Sequence, residues 1–291
     1  MQKSYWAMIA AALVLGQAAC TVDRAAKAEE SRGEAFAKAP APAANLVTVT
    51  TSEFAFAAPA TIPAGLTTVR LVNQGAEFHH VQLVRLDPGH TVAELMEGAS
   101  SREHGPMPEW VHFVGGPNSP APGGGQSEAT MELQAGTYAL VCFIPSKDGV
   151  PHMMKGMVKP LTVTPAASEA RMGTADVRMT LRDYAFDIAP ELTAGRHTIQ
   201  VTNAAAQPHE VIVMKLAPGK TAQDLLAWMQ TEQGPPPAMP MGGTTLLSQG
   251  ELNHVTVDFE AGEYALLCFV PDAKDGQPHV AHGMVKQFTV R

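Results

Sequence analysis

The feature that most limits what this chain can fold into is that most of it is written twice. Phe54-Ala-Phe56 is answered by Tyr184-Ala-Phe186, Asn73 by Asn203 and His79 by His209, all 130 positions apart. Leu86-Asp-Pro-Gly-His-Thr91 is answered at the same offset by Leu216-Ala-Pro-Gly-Lys-Thr221. Gly136-Thr-Tyr-Ala-Leu-Val-Cys142 matches Gly262-Glu-Tyr-Ala-Leu-Leu-Cys268 at an offset of 126, and Pro151-His-Met-Met-Lys-Gly-Met157 matches Pro278-His-Val-Ala-His-Gly-Met284 at 127. A period this long means one folding unit used twice, and each copy has the size of a small domain.

Within each copy the pattern is β. Leu46-Val-Thr-Val-Thr50, Thr68-Val-Arg-Leu-Val72 and Val255-Thr-Val-Asp-Phe259 alternate with period 2, as half-buried strands do. Ala64-Gly65, Ala135-Gly136, Ala194-Gly195 and Ala261-Gly262 mark turns ahead of new strands. Thr91-Val-Ala-Glu94 and Thr221-Ala-Gln-Asp224 place a hydroxyl three residues before an acid, the signature of a helix start. The expected fold class is therefore all-β: two tandem Greek-key β-sandwiches, each with one short helix. Domains are expected at 45–164 and 175–291 with a polar, small-residue linker at 165–174. The Gly/Pro-rich stretches near 101–128 and 230–250 carry no periodicity and read as long loops.

The N-terminus reads as a targeting segment. Lys3 precedes the apolar run Trp6 to Gly16, and Ala18, Ala19 and Cys20 follow, the order of a secretory signal peptide. The run is too short to cross a bilayer core of about 30 Å as a helix. Residues 1–19 are expected to be removed, and the Ala-, Pro- and charge-rich 20–44 to form a disordered tether. The segment resembles a bacterial lipoprotein signal with Cys20 as the acylated residue, although Gln17 stands where that pattern usually carries Leu. Ordinary cleavage after Ala18 or Ala19 is the alternative. Either way the protein is expected to be exported, to the periplasm or cell envelope, with a lipid on Cys20 as its one means of membrane association.

Each copy also carries the same four chemical donors in the same order. They are His79, Cys142, His152 and Met157 in the first, and His209, Cys268, His279 and Met284 in the second, with spacings C-x9-H-x4-M and C-x10-H-x4-M. Two imidazoles, a thiolate and a thioether are the donor set of a blue-copper site. Taken singly, a buried Cys or Met is core filling; taken as four donors, twice, they point to metal. Met153 and Met154 could compete with Met157, but their counterparts are Val280 and Ala281; His80 could replace His79, but its counterpart is Glu210.

On these residues both copies resemble cupredoxins. Gly136-Thr-Tyr138 before Cys142 and Gly262-Glu-Tyr264 before Cys268 are similar to the G-x-Y-x-x-x-C stretch of plastocyanin. Asn73 with His79 and Asn203 with His209 match its N-x5-H; His152 with Gly156-Met157 and His279 with Gly283-Met284 match its H-x3-G-M. The Cys-to-His loop is longer than plastocyanin's and closer to that of copper nitrite reductases. The resemblance implies one copper per domain and single-electron transfer with a redox partner protein, with His152 or His279 as the edge where electrons cross. A copper carrier or reservoir without redox duty, and a metal-free sandwich used for adhesion or assembly, are the alternatives.

The remaining signals exclude or narrow. Net charge is −8 with no dense Lys/Arg cluster, so no nucleic-acid partner is expected. Three cysteines do not make a disulfide framework. Val141 and Leu267 precede the two repeat cysteines, Phe143 and Phe269 follow them, and no H-x-H pair occurs. Nothing in these motifs would hold a catalytic copper beside an electron-transfer one, and the chain is expected not to be an enzyme.

Overall fold

Period-2 alternation becomes strand wherever the sequence shows it. In β1 (Asn45–Ser52) Val47, Val49 and Thr51 turn inward while Leu46 and Thr48 face solvent, as the two-residue repeat of an extended chain requires. A computed structural model describes residues 43–101, 107–165, 169–231 and 233–291. The expected signal peptide, tether and acylated Cys20 lie outside the described residues.

The first repeat builds two facing sheets. One contains β1, β2 (Ala55–Ala57), β4 (Gly65–Asn73) and β7 (Gly125–Leu133). The other runs in the order β3 (Thr61–Pro63), β9 (Val158–Thr164), β8 (Gly136–Val141), β5 (Gln82–Leu86), β6 (Val111–Phe113). The second repeat follows the same plan. Strands β10 (Val177–Arg182), β11 (Ala185–Ala189), β12 (Gly195–Asn203) and β15 (Leu252–Phe259) face β13 (His209–Leu216), β14 (Ala238–Leu247), β16 (Gly262–Leu267) and β17 (Val285–Val290). Both repeats are β-sandwiches, as expected from the sequence.

The helices start where the capping residues stand. In α2 (Ala222–Met229) Thr221 and Asp224 form a reciprocal capping box. In α1 (Val92–Ser101) the Glu94 amide donates to Thr91 Oγ1 and the Thr91 amide to Glu94; each pair satisfies two otherwise orphan amides. Each helix lies outside its sandwich, over a second apolar layer: Leu95 with Val84, Phe113 and Met153, and Leu225 with Met214 and Leu216.

The two repeats are joined edge to edge. Strands β15 and β7 pair antiparallel through His254↔Thr130 and Val255↔Ala129, which makes one eight-stranded sheet through both repeats. The Gly/Pro-rich stretches supply the rest of the joint. Backbone bonds run from Gly115 N to Leu246 O (2.9 Å), Thr245 N to Gly116 O (2.9 Å) and Asn118 N to Gly243 O (3.1 Å). Two matched glycines permit this approach. A Cβ on Gly115 (φ +82°) would sit 2.1 Å from Asn253 Oδ1, and one on Gly242 (φ +101°) would sit 2.8 Å from Ser127 Cβ, each in the other repeat. Gly115 and Gly242 are themselves 127 positions apart, so the joint follows the repeat. These stretches show no alternation because their backbones serve glycine-dependent close contact rather than a two-faced strand.

Buried amide side chains complete the joint. Asn253 Nδ2 donates to Val114 O (3.0 Å), and its Oδ1 accepts from Gly116 N (3.0 Å) and Thr244 Oγ1 (2.7 Å). Replacing Asn253 by alanine leaves those backbone groups unpaired in a dry interior, at an expected cost on the order of 3 kcal/mol. Urea unfolding followed by tryptophan fluorescence reads this as a lowered midpoint; an unmoved midpoint would show that the joint does not depend on this amide.

Candidate metal centres

Each donor set is gathered by backbone hydrogen bonding between a strand end and the loop that follows it. Strand β8 ends just before Cys142, and the chain returns so that His152 N donates to Ile144 O (2.9 Å), Met153 N to Cys142 O (2.9 Å) and Cys142 N to Met157 O (3.2 Å). In the second repeat His279 N donates to Val270 O and Val280 N to Cys268 O, both at 2.9 Å. The longer Cys-to-His spacing of this copy does not change the closure. His152–Lys155 and His279–His282 each form one 3₁₀ turn, ended by Gly156 (φ +104°) and Gly283 (φ +92°). The left-handed backbone there is why the motif reads H-x3-G-M.

The second imidazole of each set comes from the opposite loop. Asn73 folds that loop: its Nδ2 donates to Glu77 O (2.9 Å) and its Oδ1 accepts from Gly75 N (3.0 Å). Asn203 does the same with Gln207 O and Ala205 N, both at 2.9 Å. His79 and His209 are thereby held beneath the sandwich end. Tyr138 and Tyr264 anchor the turns ahead of the cysteine strands, each hydroxyl donating to a carbonyl four residues upstream, Gln134 O (2.9 Å) and Glu260 O (3.0 Å).

The donors converge in both repeats. His79, Cys142 and His152 place one ligand atom each within 4.8 Å of one another, and His209, Cys268 and His279 do likewise. Cys142 Sγ lies 3.5 Å from His152 Nδ1, which is 3.1 Å from His79 Nδ1. Cys268 Sγ lies 3.3 Å from His279 Nδ1 and 3.8 Å from His209 Nδ1. All six residues are fully buried. Met157 and Met284 are fully buried in the same apolar cluster as the cysteines, whereas Met153 packs with α1 and Met154 faces solvent.

All four imidazoles point the same way, Nδ1 inward and Nε2 toward a carboxylate. His152 Nε2 is 3.1 Å from Glu77 and His209 Nε2 is 2.9 Å from Asp183. His79 Nε2 is 3.8 Å from Glu53, and His279 Nε2 is 3.8 Å from Asp272. For His152 and His209 the bonded carboxylate keeps the proton on the outer nitrogen and leaves the Nδ1 lone pair free to face inward, whereas the Nε2 atoms of His79 and His279 face their carboxylates without a direct hydrogen bond. These acids were not singled out from the sequence. The repeat offset could have found Glu53 and Asp183, which are 130 positions apart.

Burial sets the charge states. It pushes the Cys142 thiol up to about 12 and raises Cys268 further, while backbone amides of His80 and Ile144, and of Glu210 and Val270, favour the thiolates. Burial also lowers His79 and His209, and takes His279 down to about 4. These three imidazoles are therefore neutral donors, and each thiol must lose a proton to bind a cation.

Residues beside the donors take different roles. His80 Nε2 accepts from Phe143 N (2.9 Å), and Glu210 Oε1 accepts from Phe269 N (3.0 Å). The two side chains thus serve one purpose, holding the amide that follows each cysteine. Burial pushes His80 down to about 3 and Glu210 up to about 7. Between the repeats lies a cavity of about 1420 Å³. Its wall includes Phe143 and Phe269, Phe78 and Pro208, and Pro151 and Pro278, which immediately flank the donors of both sets.

No protein-family model matches the chain, and no curated protein does. Solved structures do match. Dithionite-reduced auracyanin from Roseiflexus castenholzii is 23% identical with a TM-score of 0.29, over 42% of this chain and 99% of that one. A blue copper oxidase from Nitrosomonas europaea is 14% identical with a TM-score of 0.25, over 86% of each chain. The copper nitrite reductase of Thermus scotoductus SA-01 is 13% identical with a TM-score of 0.24, over 86% of this chain and 62% of that one. At these identities the likeness is one of fold.

The expectation that the chain is not an enzyme is corrected by these matches. Most are copper oxidases or reductases, so the fold is one that enzymes share and it does not support the exclusion. The physical reason lies in what the motifs report. H-x-H pairs and cysteine neighbours describe residues adjacent along the chain, whereas the cavity between the repeats collects residues from both copies and has no local motif.

Proposed function

We propose that this is an exported copper protein of the cell envelope that carries single electrons through two type 1 sites, one in each repeat. The ligands are His79, Cys142 and His152 with Met157 as axial donor, and His209, Cys268 and His279 with Met284. The observation that carries the reading is the doubled convergence of two inward Nδ1 atoms on a buried thiol. Copper on such a donor set is a one-electron carrier, because thiolate sulfur suits Cu(I) and imidazole suits both oxidation states.

The chain's own residues do the rest. Glu77 and Asp183 select the tautomers of His152 and His209, the loop hydrogen bonds set donor positions before any ion arrives, and full burial excludes water. The rings of His152 and His279 each meet an aromatic side chain edge-on, Phe54 at 5.0 Å and Tyr184 at 5.5 Å between centroids.

Two outcomes test the reading. Copper-loaded protein is expected to show an intense thiolate-to-Cu(II) visible band, of which Cys142→Ser removes about half; bound copper without that band would overturn it. Loading is also expected to release about one proton per copper at pH 7, because burial keeps the thiols protonated there and holds His79, His209 and His279 low. Affinity should accordingly rise about tenfold for each unit of increasing pH through neutrality. Calorimetry in buffers of different ionisation enthalpy counts the protons, and a count near zero would remove the thiols from the ligand set.

A further inference from the structure

The second repeat carries a group of donors outside the buried centre. Asp272, Asp275 and His282 place one ligand atom each within 4.8 Å of one another. His282 Nε2 lies 3.2 Å from Asp275, and neither carboxylate is paired with a lysine or arginine among the described residues. Asp272 is held in place by Tyr184 Oη, Gln207 Nε2 (3.1 Å) and the Lys274 amide (2.8 Å). Asp275 and His282 remain partly open to solvent.

Comparison within the molecule shows that this group is not a general property of the fold. The positions that answer Asp272, Asp275 and His282 in the first repeat are Ser146, Asp148 and Lys155. There Lys155 Nζ closes on Asp148 at 2.8 Å, and its ammonium lies 4.8 Å over the ring of Phe54. In the second repeat the lysine is a histidine, the serine an aspartate, and Phe54 is answered by Tyr184, whose hydroxyl bonds that aspartate. The lysine–aspartate pair has become a histidine–aspartate pair at 3.2 Å with a second carboxylate beside it.

An independent feature points into the same place. His279 Nε2 is fully buried and has no hydrogen-bond partner, yet it faces Asp272 Oδ2 at 3.8 Å. That separation is too long for a direct bond and is typical of a gap bridged by a water. A water on a cation held by the outer residues would satisfy this atom.

We propose that Asp272, Asp275 and His282 form an outer site for one divalent transition-metal ion, present in the second repeat alone. Two carboxylates and one imidazole without sulfur suit Zn²⁺ or Cu²⁺ and not Cu⁺. Water fills the remaining positions, as at open sites with three protein ligands. The ion sits against the outer edge of the imidazole whose inner nitrogen faces Cys268, and so places positive charge beside the second centre.

The test uses Zn²⁺ and the full exported chain carrying Cys142→Ser and Cys268→Ser, which removes the thiols. Isothermal titration of this protein is compared with the same protein carrying His282→Lys, which restores the ion pair of the first repeat and is not expected to disturb folding. The expected result is one Zn²⁺ per chain more in the parent than in the His282→Lys form, with Asp275→Asn weakening that ion at least tenfold. Equal stoichiometry and affinity in parent and His282→Lys protein would overturn the outer site. The thiolate-to-copper band of the unaltered protein reports the buried centres separately, so failure of one reading is distinguishable from failure of the other.

Discussion

The return of the chain after each cysteine is the constraint on which both centres depend. In the first repeat, hydrogen bonds between Cys142 and Met153, between His152 and Ile144, and between Met157 and Cys142 put thiol, imidazole and thioether on one short stretch of closed backbone. Strand β8 or β16 anchors the near end of that stretch in the core, and a glycine with left-handed backbone turns the far end into β9 or β17. The remaining imidazole arrives from a loop folded by Asn73 or Asn203. Because these bonds are backbone bonds, the spacing can grow by one residue between copies while the three donors stay within 4.8 Å of one another in each.

What lies outside the donors differs between the repeats, while the inward convergence is common to both. Glu53 in the first repeat stands with Gly75, where an added Cβ would meet Glu53 Oε1 at 2.6 Å and His79 Nε2 at 2.7 Å. The second repeat has Ala205 in place of the glycine and Asp183 in place of the glutamate. A carboxylate one methylene shorter makes room for the methyl group and still reaches its imidazole, His209, at 2.9 Å. The exchange keeps a carboxylate facing the outer nitrogen in both repeats, bonded directly in the second and standing 3.8 Å off in the first.

The strands, the helix starts and the four-donor order were legible in the sequence because each depends on neighbours along the chain or on the repeat offset. Val47 and Val49 announce a strand by alternation, and Thr221 with Asp224 a helix by capping. The joint between the repeats was not legible. Gly115 and Gly242 enable it by having no side chain, and Asn118 and Asn253 tie it by reaching residues more than ninety positions away. The same distance hid the cavity between the centres, and with it the reason that missing local motifs do not exclude an enzyme. The outer acids were partly visible: the offset pairs Glu53 with Asp183, but it also pairs Glu77 with Gln207 and Ser146 with Asp272, so no single pattern covers all four imidazoles.

His80 and Glu210 show how one structural duty can be met by unlike chemistry. Each accepts the amide that follows a cysteine, so either keeps the thiol strand registered against the imidazole loop. The neutral imidazole of His80 adds no charge beside the first centre. Glu210 is a buried carboxyl that also takes a hydrogen bond from Asn118 of the first repeat, 3.0 Å away. The second centre is therefore connected to the first repeat through Glu210, which takes Phe269 N on one oxygen and Asn118 on the other; among the described residues His80 makes no such bond to the second repeat. Copies that began alike have become a pair in which one member's surroundings include the other.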